Sequence, residues 1–349
     1  MTDPTVSVVI PAYNGAALIE ETLASLSAQT LPDWEAIVVD DVSSDATRAV
    51  IAAWPDARVR LLCNDVNAGP VHTRNRGVAA ARGRYVAGLD QDDLCLPERL
   101  ARQVAYLDAH PDVALLGTQA HYLQGGVVRP SSYAPVTTPA LIAWLMRIEN
   151  PLVWSSVMVR GDVARALDPF TRPEILYAED FDLYHRVQAH GRIARLDEPL
   201  LLYRQHAGGV SQRFTETMRA SAAAVLVEAH GRLFGETAQT TAELIVRHVM
   251  GGDPVPDRET LAALGEAIGR LQHDHLARHP LSADDRKLIR WETAQRWGRV
   301  GRAALRAGTL SLADLLAVRP AHLGLGYQQL HELLVGSAIG HGRRWCRTG

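Results

Sequence analysis

The 349-residue chain is 47% hydrophobic and 21% charged with a formal net charge of −3, enough apolar material for one large domain and a smaller one. That near-neutral balance gives no global reason to bind nucleic acid, and no stretch reaches the ~18 uninterrupted apolar residues of a membrane span. The opening MTDPTVSVVIP lacks a basic segment followed by an apolar one, so a cytoplasmic location is expected.

From residue 6 to about 117, short β-rich runs alternate with helical periodicity, which predicts a largely parallel sheet flanked by helices. VSVVI (6–10) is the first strand, and Asn14 is placed to cap a helix whose apolar stripe is Ile19, Leu23 and Leu26. AIVV (36–39) is the second strand, with Asp45 placed to cap the helix after it. VRLLC (59–63) and RYVAGL (84–89) follow, separated by the helix GPVHTRNRGVAAARG. Pro97 opens a helix carrying Leu100, Val104 and Leu107, and VALLG (113–117) is the fifth strand. Between 118 and 212 a hairpin at YLQGGVV, a helix at PALIAWLMRI, a strand at SSVMVR, an acid-led helix at AEDFDLYHRV and a strand at LLYR are expected. From 213 to 349 the pattern is wholly helical, so the domains are expected at 1–212 and 213–349.

Ligands of open parallel sheets sit beyond the carboxyl ends of the strands. Here those ends read PAYNG, DDVSSD, NDVNAG and DQDD. Like charges as close as Asp90, Asp92 and Asp93 repel unless a hard cation, held by one or two carboxylates and substrate phosphates, neutralises them. Asp93 also suits the cap of the next helix. Lys287 is the one lysine, and no phosphate-binding GxxxxGK[ST] loop, GxGxxG, GxSxG or HExxH is present. Cys63, Cys95 and Cys346 have neither disulfide nor zinc spacing.

The ordered set VSVVIPAYNG, IVVDDVSSDAT, NAGPVHTRNRGVAAARGRYVAGLDQDD, NPLVWSSVMVR, AEDFDLYHRV and YRQHAGGVS resembles the inverting family 2 glycosyltransferases of the GT-A fold, over about residues 5 to 212. The resemblance implies an α/β, Rossmann-like, mostly parallel mixed sheet flanked by helices, followed by an all-α region. It implies a nucleotide-diphospho-sugar donor, UDP-sugar favoured, and a hydroxyl acceptor on a glycan or lipid-linked glycan of cell-surface polysaccharide. Pro11 and Tyr13 are then expected against the base, with Asp40 accepting a hydrogen bond from it, while Asp41 and Asp45 fix the loop. Arg74 is expected near the nucleotide or diphosphate. Of the acidic motif Asp90-Gln91-Asp92, Asp90 is expected at the ribose and Asp92 on Mn²⁺ or Mg²⁺, with Gln91, in place of a smaller residue, also expected against the nucleotide-sugar. His206 completes the metal shell, and Gly208 and Gly209 suit a moving loop. Asp180 is expected as the general base and Glu179 as an orienting group.

Blander readings stand beside each assignment. Tyr13 fits a core aromatic, Arg74 a solvated helix face, and Glu179 and Asp180 the acidic start favoured by a helix dipole. Residues 286–347 hold 11 basic and 3 acidic residues, with Arg299, Arg302 and Arg306 on one helical face and Trp291, Trp297 and Trp345 interspersed. A solvated or dimerising helix face is the first reading, contact with an anionic membrane or lipid-diphosphate acceptor the second. A nucleotidyltransferase shares such a sheet, but the loop PAYNGAALIEETL lacks the basic residue that holds a triphosphate. A non-catalytic nucleotide-sugar-binding protein is the remaining alternative.

Overall fold

The computed structural model describes residues 3–206, 214–320 and 333–340. Two compact units result: Met1–Pro139 with Pro151–Met218, and Ala140–Asn150 with Arg219–Gly349.

In the first unit the described strands form one sheet in the order β3-β2-β1-β4-β8-β6-β9-β5, with β7 paired to β6. β1 (Val6–Ala12), β2 (Trp34–Asp40), β3 (Val59–Cys63) and β4 (Tyr85–Gly88) run parallel. Helices α1 (Ile19–Ser27), α2 (Thr47–Ala52) and α3 (Gly69–Ala79) connect these strands in chain order, as parallel neighbours require. β8 (Met158–Arg160) is antiparallel to both β4 and β6 (Val113–Gln124), whereas β6 pairs in parallel with β9 (Arg192–Arg204). The two-residue β5 (Leu94–Cys95) pairs antiparallel with β9, and the hairpin strand β7 (Val127–Pro130) antiparallel with β6. The expected mixed sheet is present, and its parallel order is confined to β3-β2-β1-β4 and β6-β9.

β1 and β2 are apolar on both faces because helices cover both faces, and Val8, Val9, Ile10, Ile37, Val38 and Val39 are fully buried. α3 lies so close to β1 that a Cβ on Gly77 would come 2.4 Å from Val9 Cγ1, a distance only glycine permits. α4 (Arg99–Ala109) buries Leu100, Val104 and Leu107, the stripe expected from their spacing. Asn14, however, does not cap α1. It adopts a left-handed φ of 47° and its Oδ1 accepts from the Ser44 N–H at 2.8 Å, pinning two loops together. Asp45 accepts from the N–H of Thr47, the first residue of α2, at 2.9 Å.

This unit also contains the 3-10 turn Trp154–Ser156 and the helices α6 (Gly161–Ala166) and α7 (Glu179–Val187). The helical unit contains α5 (Pro139–Leu145), α8 (Thr215–Phe234), α9 (Ala238–Ile245), α10 (Arg258–Arg278), α11 (Ala283–Ala307) and α12 (Leu312–Ala317). The sequence places a boundary at 212/213, whereas the compact units divide after Met218 and the segment Ala140–Asn150 belongs with the helices. The cause is local. Leu141, Ile142, Trp144 and Leu145 are all buried, so α5 is apolar nearly all round and needs helices about it. Trp144 packs on His275 with ring centroids 5.6 Å apart, Arg147 pairs with Asp274 at 3.0 Å, and Glu149 accepts from Arg296 at 2.5 Å.

Burial, then repulsion from His279 and Arg147, outweighs the pull of Asp274 and pushes His275 down to about 4. The folded state therefore binds fewer protons than the unfolded chain between that value and the ordinary 6.5, and stability is lost as pH falls through this window. The melting midpoint of the wild type is expected to drop more steeply than that of His275→Gln on acidification, and parallel curves in circular dichroism would exclude His275 as the cause.

Candidate active site

β1 and β2 end side by side, with Ala12 in register with Asp40 and the Asp41 N–H donating to the Ala12 carbonyl at 2.8 Å. Asp40 is fully buried. Its Oδ2 accepts from the Ser43 N–H at 3.1 Å and lies 3.6 Å from Arg48 Nε, while Oδ1 has no hydrogen-bond partner among the described residues. A buried acceptor left open costs free energy unless something donates to it. Asp41 has no such vacancy: it accepts from Asn64 at 2.7 Å and from the N–H groups of Ala68 and Gly69 at 2.8 Å each, fixing the start of α3. Pro11 is the penultimate residue of β1, and Tyr13, just beyond the strand, is 49% exposed, so it is no core aromatic.

Gln91 has a different job from the one expected of it. Its Oε1 accepts from the Tyr13 N–H at 2.9 Å and its Nε2 donates to the Tyr13 carbonyl at 3.0 Å. Both amide ends are thereby committed to the β1 loop rather than to a nucleotide. A Cβ on Gly15 would lie 2.1 Å from Gln91 Oε1, which explains the glycine in PAYNG.

The three aspartates after β4 separate. The Asp90 N–H donates to Ser155 Oγ at 2.9 Å. Desolvation by the surrounding protein outweighs the pull of Arg74 and, with the charges of Asp92, Glu179 and Asp180, pushes Asp90 up to about 7, although 36% of its side chain is still exposed. Asp92 Oδ2 faces His206 Nε2 at 2.8 Å, 114 residues apart in sequence. Asp93 does not cap α4, which starts at Arg99 beyond β5. It is buried instead and accepts from the Arg204 N–H at 2.8 Å, while Arg204 Nε donates to the Asp92 carbonyl at 2.7 Å. Burial and then the charges of Asp92 and Asp90 hold its carboxyl well above the usual range.

Arg74 is 4% exposed and is not on a solvated face. Its Nη1 donates to Glu179 Oε1 at 2.6 Å, its Nη2 lies 3.9 Å from Asp90 Oδ1, and its guanidinium stacks 4.2 Å over the Trp154 ring. Glu179 and Asp180 open α7, and successive helical residues point about 100° apart. Glu179 turns to Arg74, leaving Asp180 on another face. Tyr184, one turn on, is fully buried, and its hydroxyl has no hydrogen-bond partner among the described residues. Ser155, Trp154, Tyr184 and Arg204 carried no role in the sequence. The segment NPLVWSSVMVR marked the first two only as a motif, and nothing in local periodicity reveals that they meet Asp90 and Arg74.

The donor set suits a small divalent cation that keeps diphosphate and water oxygens as most of its shell: one carboxylate, Asp92, beside one imidazole, His206. Among the described residues no group of three or more His, Cys, Asp or Glu side chains forms a closed protein cage. Gly208 and Gly209 lie outside the described residues. In the helical unit the basic stripe lies outward, with Arg299 and Arg306 exposed and Arg302 half-buried, although Arg299 lies 3.4 Å from Glu149; Arg296, on the same helix, is instead 4% exposed between Glu149 and Glu292, and Trp297 is core. Trp291 is exposed, and Trp345 lies outside the described residues. No described helix is long and apolar enough to cross a membrane.

Residues 7–164 match the sequence profile described as Glycosyl transferase family 2. The chain is 49% identical over 106 residues to the succinoglycan biosynthesis protein ExoO of Rhizobium meliloti (strain 1021), an alignment spanning 30% of each protein. It is 30% identical over 216 residues to the putative glycosyltransferase EpsE of Bacillus subtilis (strain 168), covering 60% of this chain and 76% of that one. In fold it is similar to S. aureus TarS 1-349, solved in complex with UDP-GlcNAc, with a TM-score of 0.54 at 18% identity over 91% of this chain and 89% of that one.

Removing Arg74 would leave Glu179 buried without its cation. Arg74→Met is expected to lower the unfolding free energy by ~3–5 kcal/mol in urea titrations, and adding Glu179→Gln to recover part of the loss. Additive losses in that cycle would show that the pair does not couple.

Proposed function

The chain belongs to glycosyl transferase family 2, and from that premise we propose that this glycosyltransferase moves a sugar, with inversion and with a divalent cation, from a UDP-sugar to a hydroxyl of a glycan or glycolipid acceptor in polysaccharide synthesis. The observation that carries the reading is the bridge made by Arg74, which reaches Asp90 of the acidic motif on one side and Glu179, the neighbour of Asp180, on the other. A donor-binding strand end and a candidate base thereby belong to one charge network.

In this reading the open Oδ1 of Asp40 accepts from an N–H of the base, and Tyr13 packs against that base. Asp90 takes the ribose hydroxyls. Asp92 and His206 would hold Mn²⁺ or Mg²⁺, the imidazole favouring Mn²⁺, and such a cation would supply positive charge against the leaving diphosphate. Asp180 removes the proton of the acceptor hydroxyl as its oxygen bonds to the anomeric carbon, and the bond from that carbon to the phosphate oxygen breaks on the opposite face. Arg74 is a positioning residue here rather than a diphosphate ligand, because its guanidinium is buried against Trp154 and bonded to Glu179. The named succinoglycan relative and the UDP-GlcNAc complex of the similar fold support the acceptor and donor classes.

Incubation with a panel of UDP-sugars is expected to release UDP, and Asp180→Asn to reduce kcat by ~10²–10⁴-fold while calorimetric UDP affinity is kept. Lost UDP affinity in that variant would remove Asp180 from the role of base. Chelator-treated protein is expected to lose UDP affinity and regain it on Mn²⁺ addition, with Asp92→Asn failing to regain it. UDP binding indifferent to chelator would overturn the cation reading.

A further inference from the structure

Tyr177 immediately precedes Ala178, the N-cap of α7, and has a left-handed φ of 64°. A bulky side chain rarely adopts this region, and strain of this kind gathers where a site holds a group in place. The Tyr177 ring stacks on Phe214, with centroids 4.5 Å apart and planes 14° from parallel, and Phe214 is itself 37% exposed. A near-parallel aromatic pair at the surface, next to an exposed Leu176, is poorly explained by core packing. Tyr177 lies three residues before Asp180, so their Cα atoms are within about 11 Å of each other. The nucleotide end of the cleft is built from the ends of β1 and β2 at Asp40 and Tyr13, not from this loop.

We propose that Tyr177 and Phe214 form the platform for the pyranose ring of the acceptor, which makes the acceptor's reacting unit a hexopyranose rather than a peptide or simple alcohol. The inference rests on the reading of Asp180 as the base. The C–H groups on one face of a hexopyranose carry partial positive charge and complement the negative face of an aromatic ring. A sugar held there presents its hydroxyls to the start of α7, where Asp180 stands.

Acceptor kinetics test this with the best donor of the UDP-sugar panel, methyl hexopyranosides of glucose, galactose, mannose and N-acetylglucosamine as acceptors, and glycerol as a ringless one. Asparagine tolerates a left-handed φ, so Tyr177→Asn removes the ring without adding strain, and Phe214→Leu removes the other half of the stack. Both are expected to raise KM for the methyl hexopyranosides by about tenfold, with kcat changed by less than about twofold and calorimetric UDP affinity kept. Tyr177→Phe is expected to keep KM near wild type. An unchanged KM in both variants, equal losses with glycerol, or wild-type transfer to glycerol but to no hexopyranoside would overturn the platform. A wild type that neither binds UDP nor releases it from any donor would instead overturn the function on which the inference rests.

Discussion

The arrangement of this site depends on a buried cation. Arg74 sits under protein on every side, and a guanidinium there is tolerated because Glu179 accepts a 2.6 Å bond from it, Trp154 offers a ring face and a carboxyl oxygen of Asp90 lies 3.9 Å away. Two carboxylates and an arginine from three distant stretches of chain are thereby fixed relative to one another. Moving α7 away from α3 would strand charges in a medium that solvates them poorly, so the pairing holds the two helices in place more firmly than apolar contact alone.

Hydrogen bonds of loops to loops supply the rest of the precision. Gln91 grips the Tyr13 peptide from both sides, Asn14 ties to Ser44, and Asp41 gathers Asn64 and the start of α3. Arg204 does the same at the far edge, where its backbone and side chain meet Asp93 and the Asp92 carbonyl while the neighbouring His206 meets the Asp92 carboxylate. Side chains that in the sequence suggest ligand contacts are in several cases the supports of the residues left open for a ligand. Asp40 Oδ1 stays available while Asp41 is fully engaged, although the two are adjacent and chemically identical.

The helical unit shows the same economy with charge. Arg296, Glu149 and Glu292 form a buried network, and Arg147 with Asp274 a second pair beside the buried ring of His275. Arg296, one of the basic residues of the helical segment, is thus structural within the unit, while Arg299 and Arg306 of the basic stripe stay exposed. A helix periodicity argument assigns a face to a residue but does not say whether another helix covers that face, and here Ala140–Asn150, far away in sequence, provides the cover.

The sequence by itself determined the strand and helix order, the acidic strand ends, the family and the pairs Asp90/Asp92 and Glu179/Asp180, because alternation, turn chemistry and motif order are local properties of the chain. Tertiary structure decided what the members of those pairs meet. It turned Glu179 to Arg74, buried Asp93 under the end of β9 and carried His206 to Asp92. It also moved the domain division and drew an inserted segment into the helices. The physical reason is common to all of these. Burial of a charge is stable only beside a partner, and the partner's distance along the chain leaves no trace in the residues that flank either one.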